Sequence, residues 1–198
     1  MTPLDLEAGG ALYRWLFPVL WLGFVAVWIA MARGGKAVAE REDAFSRLSH
    51  YLPLALGIVL IAAPDIPVPP LDGRFVPLAL WPVRLGAAVT VAGIAFAIWA
   101  RLWIAGNWSS DVTLKRDHEL VVDGPYALVR HPIYTGILFG LAGTALAVGE
   151  WRAVLGVALV GVAWWRKLTI EETVMRRQFG DAYARYASRT RALIPFVL

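Results

Sequence analysis

The sequence predicts an all-α integral membrane protein with five transmembrane helices and a cytoplasmic pocket over their ends. Three observations predict it. Hydrophobic residues make up 59% of the 198-residue chain against 17% charged; counted with Gly and without Tyr the apolar share is about 65%, well above the roughly 45–50% of soluble domains. The apolar residues fall into discrete runs near spanning length. The Lys and Arg gather in segments that would share one side of a bilayer. A chain of this size has interior for about one domain, so residues 1–198 read as a single membrane domain. The first three spans occupy 1–105, and 106–198 holds the last two. With no Cys, disulfide frameworks, thiolate metal sites and a cysteine nucleophile are excluded, and no metal centre is expected.

The first span runs from Leu12 to Ala32, interrupted by Arg14. Ala30-Met31-Ala32 resembles a signal-peptide cleavage site. Asp5 and Glu7 precede the run, however, where a signal peptide carries basic residues, so a retained span is expected. The second run, Leu48–Ala63, and the third, Val83–Ala105, flank a proline-dense loop from Pro64 to Pro82. Proline lacks an N–H and does not continue a helix, so this is an external turn. Ile133–Val148 and Ala153–Trp165 follow, separated by Gly149-Glu150-Trp151-Arg152. Both are short for isolated spans, and the tight polar turn makes them one hairpin.

Orientation follows from the basic residues. Arg33, Lys36, Arg41 and Arg47 follow the first span, Lys115, Arg116 and Arg130 follow the third, and seven more occupy the tail from Arg166 to Arg191. The other side has Arg74, Arg84, Arg152 and Arg14. The N-terminus is therefore expected outside and the C-terminus in the cytoplasm. The net charge of +4 becomes a topology signal, which excludes nucleic acid as a partner. The sequon Asn107-Trp108-Ser109 falls on the cytoplasmic side, where it would not be glycosylated. Trp15, Trp81, Trp103, Trp151 and Trp165 lie near span ends, as interfacial belts do.

Two cytoplasmic segments resist a bland reading. Gly106–Pro132 is long for a loop, lacks a disordered composition, and holds His118 and His131. The tail, Arg166–Leu198, is charged and aromatic, with Phe179, Tyr183 and Tyr186 spaced for a helix face. Within Val129-Arg130-His131-Pro132, Pro132 suits the first turn of the fourth span. His131 then stands at a helix N-terminus, where N–H groups favour an anion or acceptor; a plain polar cap, with Arg130 on lipid headgroups, reads equally well. Glu171 and Glu172 directly follow the fifth span, and carboxylates there are costly without a polar cavity or partner. Lys167–Glu171 and Glu172–Arg176 are i,i+4 pairs worth a few tenths of a kcal/mol. Adjacent residues project about 100° apart, so one Glu can pair on the surface while the other faces inward. Arg101 reads as a snorkelling side chain. Gly136, Gly140 and Thr144 form a stripe for close helix approach, with the fifth span (Gly156, Gly161, Ala163) as the expected neighbour.

Taken in order, Asn107-Trp108-Ser109, Gly124-Pro125-Tyr126-Ala127-Leu128-Val129-Arg130-His131-Pro132-Ile133-Tyr134-Thr135-Gly136, Glu171-Glu172, Phe179-Gly180-Asp181-Ala182-Tyr183-Ala184-Arg185-Tyr186 and Leu193-Ile194-Pro195 resemble the isoprenylcysteine carboxyl methyltransferase family and its phospholipid methyltransferase relatives. The resemblance covers roughly Gly106–Pro195. It implies a membrane enzyme using S-adenosylmethionine, with 106–198 as its methyltransferase-like catalytic region. The cofactor would lie in a cytoplasmic pocket of loop, last hairpin and tail, and a lipophilic or lipidated substrate would enter from membrane lipid. By the same resemblance Gly124, Pro125, Tyr126, His131, Tyr134, Glu171 and Glu172 are cofactor-binding, and Arg130, Glu172 and Arg189 catalytic. His118 also matches a family position, without an assigned role.

Methyl transfer from a sulfonium is an in-line displacement, helped chiefly by positioning. A carboxylate acceptor needs no general base, only a cation or helix N-terminus to hold it and exclusion of water. An amine acceptor, as in phosphatidylethanolamine, needs a route for its proton, and the residues do not decide between the two. Tyr126 and Trp108 are aromatic candidates for a cation–π contact with the sulfonium. An NADPH-dependent sterol-type reductase shares the multi-span layout, but the RHP element followed by paired Glu argues against it. A non-catalytic scaffold would explain the spans and glycine stripe, not the ordering of these motifs. No GxGxxG loop is present, which leaves a soluble Rossmann-type methyltransferase unsupported.

Overall fold

The computed structural model describes residues 3–31, 44–63, 69–104 and 120–194. In chain order the helices there are α1 (Pro3–Met31), α2 (Ala44–Ala62), α3 (Leu80–Ile104), α4 (Pro125–Leu128), α5 (Pro132–Val148), α6 (Trp151–Phe179) and α7 (Asp181–Arg189). No strand is formed among the described residues, only isolated bridges. The apolar runs coincide with the five longer helices, which extend beyond them: α1 starts at Pro3 instead of Leu12 and α2 at Ala44 instead of Leu48. Helix α3 starts at Leu80, inside the expected loop, because Pro82 is accommodated in a first turn whose N–H groups have no intrahelical acceptor. Helix α6 continues past Trp165 to Phe179, since 166–179 is rich in strong helix formers.

Tyr13–Met31 of α1, α3 and α6 are long and apolar enough to cross a membrane, while Leu48–Ala62 and α5 are apolar but shorter. Val19, Leu22, Leu52, Leu102 and Val162, on four helices, are each at least 60% exposed. So many bare aliphatic side chains suit lipid rather than water, and the chain is an integral membrane protein. All five span-end tryptophans are exposed as well. At 1.5 Å per residue α6 is about 43 Å long, against a hydrocarbon core of about 30 Å. It is therefore longer than a spanning segment needs to be, and its charged turns begin at Arg166.

The tightest packing joins α3 to α5. A Cβ on Gly93 would come within 2.5 Å of the Gly140 nitrogen, and one on Gly136 within 2.6 Å of the Ala97 nitrogen. The small-residue stripe thus faces α3, not α6 as its sequence neighbour suggested. The hairpin turn sets α5 and α6 side by side, but α6 directs its own Gly156 at α2. There a Cβ would meet the Gly57 carbonyl at 2.6 Å, while Gly161 faces open space. A polar thread crosses the bundle: Trp21 Nε1 donates to Thr144 Oγ1 (3.0 Å), which lies 3.3 Å from Thr90 Oγ1, and Thr90 donates to the Gly140 carbonyl (3.0 Å). Such bonds between apolar helices fix their rotation.

Four arginines end on helix C-terminal carbonyls, where unsatisfied acceptors and the negative dipole end coincide. Arg74 donates to Val148 of α5 (3.1 Å), and Arg152 to Leu60 of α2 (2.7 Å) and Ala63 just beyond it (2.8 Å). Arg101 donates to Met31 of α1 (2.9 Å) and is only 5% exposed. It bridges two helices instead of snorkelling to headgroups. The fourth, Arg130, belongs to the site described below. At the α5–α6 turn, Gly149 has φ of 73°, a left-handed helix end that favours glycine. The proline-rich segment folds over it, Phe75 N–H donating to the Gly149 carbonyl (2.9 Å) and Trp151 N–H to that of Gly73 (3.0 Å).

Candidate functional site

At the other end of the bundle the segment before α5 is pinned from both sides. Trp103 Nε1, on the last turn of α3, donates to Asp123 Oδ1 at 3.0 Å. Its ring lies where a Gly124 Cβ would stand, and Gly124 has φ of 56°, so a side chain there meets both clash and backbone strain. Pro125 then opens the single turn of α4. The Tyr126 ring is buried with Ala100 and Ile133, and its carbonyl accepts from Tyr186 Oη at 2.7 Å.

The tail closes over this segment. Arg130 N–H donates to the Arg191 carbonyl (2.7 Å) and His131 N–H to that of Ala192 (3.0 Å), a parallel pairing centred on Val129 and Arg191. Thr135 Oγ1 donates to Leu193 at 2.7 Å. Gly180 ends α6 and begins α7, so Phe179 and Tyr183 do not share one continuous helix. Tyr183 is buried beneath the Arg176 guanidinium, 5.6 Å from its ring centre.

The acidic pair meets the RHP element at this junction. Glu172 Oε1 accepts from Arg130 Nε at 2.7 Å, with Arg130 Nη2 also 2.7 Å away. Arg130 Nη1 turns the other way, donating to the Ala187 carbonyl (3.3 Å) and to that of Thr190 at the end of α7. His131 stands between the two carboxylates, Nε2 at 3.3 Å from Glu172 Oε1 and Nδ1 at 3.5 Å from Glu171 Oε2. Tyr134 Oη donates to Glu171 Oε1 at 2.5 Å. Burial alone would depress the His131 imidazolium, but the bonds and charges of Glu171 and Glu172 outweigh it and raise its pKa. Burial raises the pKa of Tyr126, Tyr183 and Tyr186 too, so these phenols are neutral hydrogen-bonding groups.

Gly124, Pro125, Tyr126, Arg130, His131, Tyr134, Glu171 and Glu172 are thus drawn into one neighbourhood. Neither Glu is spent on the surface alone; Glu172 reaches Arg176 at 3.5 Å as well as the interior cluster. Arg189 stands apart, exposed on the last turn of α7. Trp108 and His118 lie outside the described residues. Sequence reasoning missed Trp164, whose ring stacks on Tyr134 at 5.1 Å while His131 stacks on the same ring at 5.7 Å. Trp164, Leu168, Glu171 and Glu172 follow i, i+4, i+7, i+8 spacing, one face of a helix. That signal becomes readable once α6 is extended past Trp165.

A family model described as phospholipid methyltransferase matches residues 81–182, just over half of the chain. The chain is 36% identical over 94 residues to the protein-S-isoprenylcysteine O-methyltransferase of Schizosaccharomyces pombe, covering 46% of this chain and 40% of that protein. It is 26% identical over 122 residues to protein-S-isoprenylcysteine O-methyltransferase B of Arabidopsis thaliana, covering 59% and 61%. It is 33% identical over 127 residues to the cobalt-zinc-cadmium resistance protein CzcN of Cupriavidus metallidurans, covering 63% and 53%. The matches therefore span between 40% and 61% of these relatives' lengths. A solved structure of a eukaryotic intramembrane Ras methyltransferase, isoprenylcysteine carboxyl methyltransferase, aligns with a TM-score of 0.52 at 22% identity, over 77% of this chain and 52% of that one. That likeness is one of fold.

Proposed function

The chain belongs to the phospholipid methyltransferase family, and we propose on that footing that it is a membrane methyltransferase transferring the methyl group of S-adenosylmethionine to a lipophilic acceptor of the isoprenylcysteine carboxylate type. The observation that carries the reading is the junction of Arg130, His131, Tyr134, Glu171 and Glu172, built from loop, hairpin and tail. Isoprenylcysteine methyltransferases among its relatives support the acceptor. The proposal includes five spans, an outside N-terminus, and a cytoplasmic pocket over the helix ends.

The residues present fit S-adenosylmethionine. Two largely buried carboxylates meet beside the His131 ring, Glu172 also against the Arg130 guanidinium, and such a pair suits the cationic end of an amino acid. When bound, the group would supply a methyl on a sulfonium, with the acceptor carboxylate as nucleophile and the neutral thioether as leaving group. Glu171 and Glu172 would hold the cofactor's cationic group, while His131, Gly124, Pro125 and Tyr126 shape the wall beside it. Tyr134 orients Glu171 through its hydroxyl. We assign Arg130 to positioning, since its guanidinium is already divided between Glu172 and the end of α7. Arg189, exposed on α7 apart from this junction, is given the acceptor carboxylate on the family resemblance alone. An ionised carboxylate needs no base, so orientation and exclusion of water are what the chain must provide.

Calorimetry of the purified protein with S-adenosylmethionine and, separately, with NADPH tests the reading. Binding of the first and not the second is expected, and binding of NADPH alone would overturn it. Glu172→Gln and His131→Gln are expected to weaken S-adenosylmethionine at least about tenfold, or about 1.4 kcal/mol; unchanged affinity would remove these residues from the site.

A further inference from the structure

Both ring nitrogens of His131 face carboxylate oxygens, Nδ1 that of Glu171 at 3.5 Å and Nε2 that of Glu172 at 3.3 Å. A neutral imidazole has one N–H and one lone pair. Whichever tautomer it took, a lone pair would be aimed at a carboxylate. Two donors are needed, and only the imidazolium has two. Without a ligand, His131 is therefore the cation held by the acidic pair.

We infer that His131 is an internal stand-in for the ligand's cationic group, and that the acidic pair accepts that group in exchange for the proton of His131. The inference rests on the proposed S-adenosylmethionine site and deepens it. Glu172 is balanced twice over, by Arg130 at 2.7 Å and by Arg176 at 3.5 Å. An ammonium or sulfonium group brought beside the pair places a second cation within a few ångströms of the imidazolium, and like charge at that range depresses its pKa. One N–H bond of the ring breaks, its proton passes to the buffer, and the neutral ring keeps its other N–H for one carboxylate. Arg130 cannot respond in this way, because a guanidinium does not deprotonate in proteins.

The groups facing His131 come from three helices and its own segment. Glu171 and Glu172 approach from α6. Tyr134 of α5 stacks on the ring, and Arg130 adjoins it. Farther out, Lys167 lies over the Tyr134 ring at 5.9 Å, and Tyr183 and Tyr186 of α7 interact with Arg130 and Glu172. Burial keeps Tyr183 and Tyr186 neutral at working pH. Burial alone would lower the His131 pKa, and the two carboxylates outweigh it and raise it.

The test is titration calorimetry of the full chain in detergent with S-adenosylmethionine, in buffers of different ionisation enthalpy, from pH 6 to 9. Release of about one proton per ligand is expected at the acid end. Affinity should rise about tenfold per pH unit there and level off once His131 is neutral. Labelling with 15N-histidine gives a second readout in a chain with 3 His: one ring should pass from imidazolium to neutral imidazole as ligand is added. Binding with no proton release and no pH dependence would overturn the exchange while leaving the cofactor assignment standing. No binding at all would overturn both. His131→Gln, which lacks the competing cation, should lose the proton release and give a flat pH profile, below the parent's affinity at the alkaline end and closest to it at the acid end; release persisting in that variant would assign the proton elsewhere and refute the role of His131.

Discussion

A double-mutant cycle across Arg130 and Glu172 probes the junction on which the site depends. Both side chains are nearly shut off from solvent, at 13% and 12% exposure, and two guanidinium nitrogens lie 2.7 Å from one carboxylate oxygen. A hydrogen bond to a charged group contributes about 1.5–3 kcal/mol, and removing one partner of a buried pair costs about 3–5 kcal/mol because the other charge is stranded. Glu172→Gln keeps the shape and one acceptor, and Arg130→Met keeps much of the packing. We expect each single variant to lose about 3 kcal/mol and the double variant little more than either, with a coupling of about 1.5–3 kcal/mol. For a chain of this size that is a fall of roughly 6–12 °C in unfolding midpoint. The transition can be followed by the fluorescence of its 10 Trp in detergent. Strictly additive singles, or a Glu172→Gln protein as stable as the parent, would refute the clamp.

Other outcomes follow from the same geometry. Gly93→Ala should cost about 1–3 kcal/mol by forcing α3 off α5, whereas Gly161→Ala, facing open space, should be neutral or slightly stabilising; equal midpoints for both would contradict the packing. Because His131 has a raised pKa when folded, its contribution to stability is fully present below its unfolded value of about 6.5 and is lost as pH rises through the folded value. The ligand-free protein should therefore unfold more easily as pH climbs above about 6.5, and His131→Gln should flatten that part of the profile; identical profiles would contradict the ion contacts. Tyr134→Phe removes the bond to Glu171 and should weaken S-adenosylmethionine about tenfold, or about 1.4 kcal/mol, with unaltered affinity in calorimetry contradicting the positioning role.

The first and third spans were legible because lipid imposes one demand, a long uninterrupted apolar run, and α1 and α3 meet it from sequence, whereas α6 meets it only over its full length, Trp151–Phe179. What the runs could not carry was partner choice. Gly136 and Gly140 announce close approach, but nothing in a four-residue spacing says which helix approaches, and the partner was α3. Arg101 was misread for a related reason. From its own segment it is a cation near a membrane edge, and the Met31 carbonyl that holds it lies 70 residues away. The site motifs were legible as an ordered set through a family resemblance. Their joint geometry was not, because it depends on the tail returning to pair with Val129–His131. The apolar run of α6 ends at Trp165 because hydropathy falls there, while the i,i+4 pairs from Lys167 to Arg176 already read as helix. Taken as separate pieces, the run and the charged turns concealed the face shared by Trp164, Glu171 and Glu172.

Labelled-methyl transfer tests the central claim most directly. Purified protein would be given S-adenosylmethionine carrying a labelled methyl group, with a prenylcysteine analogue in one reaction and phosphatidylethanolamine in another. Label is expected in a base-labile methyl ester of the prenylcysteine analogue, and Glu172→Gln should lose that transfer. Label in the lipid amine alone would correct the acceptor. Transfer to neither, from a protein that binds NADPH and not S-adenosylmethionine, would contradict the account.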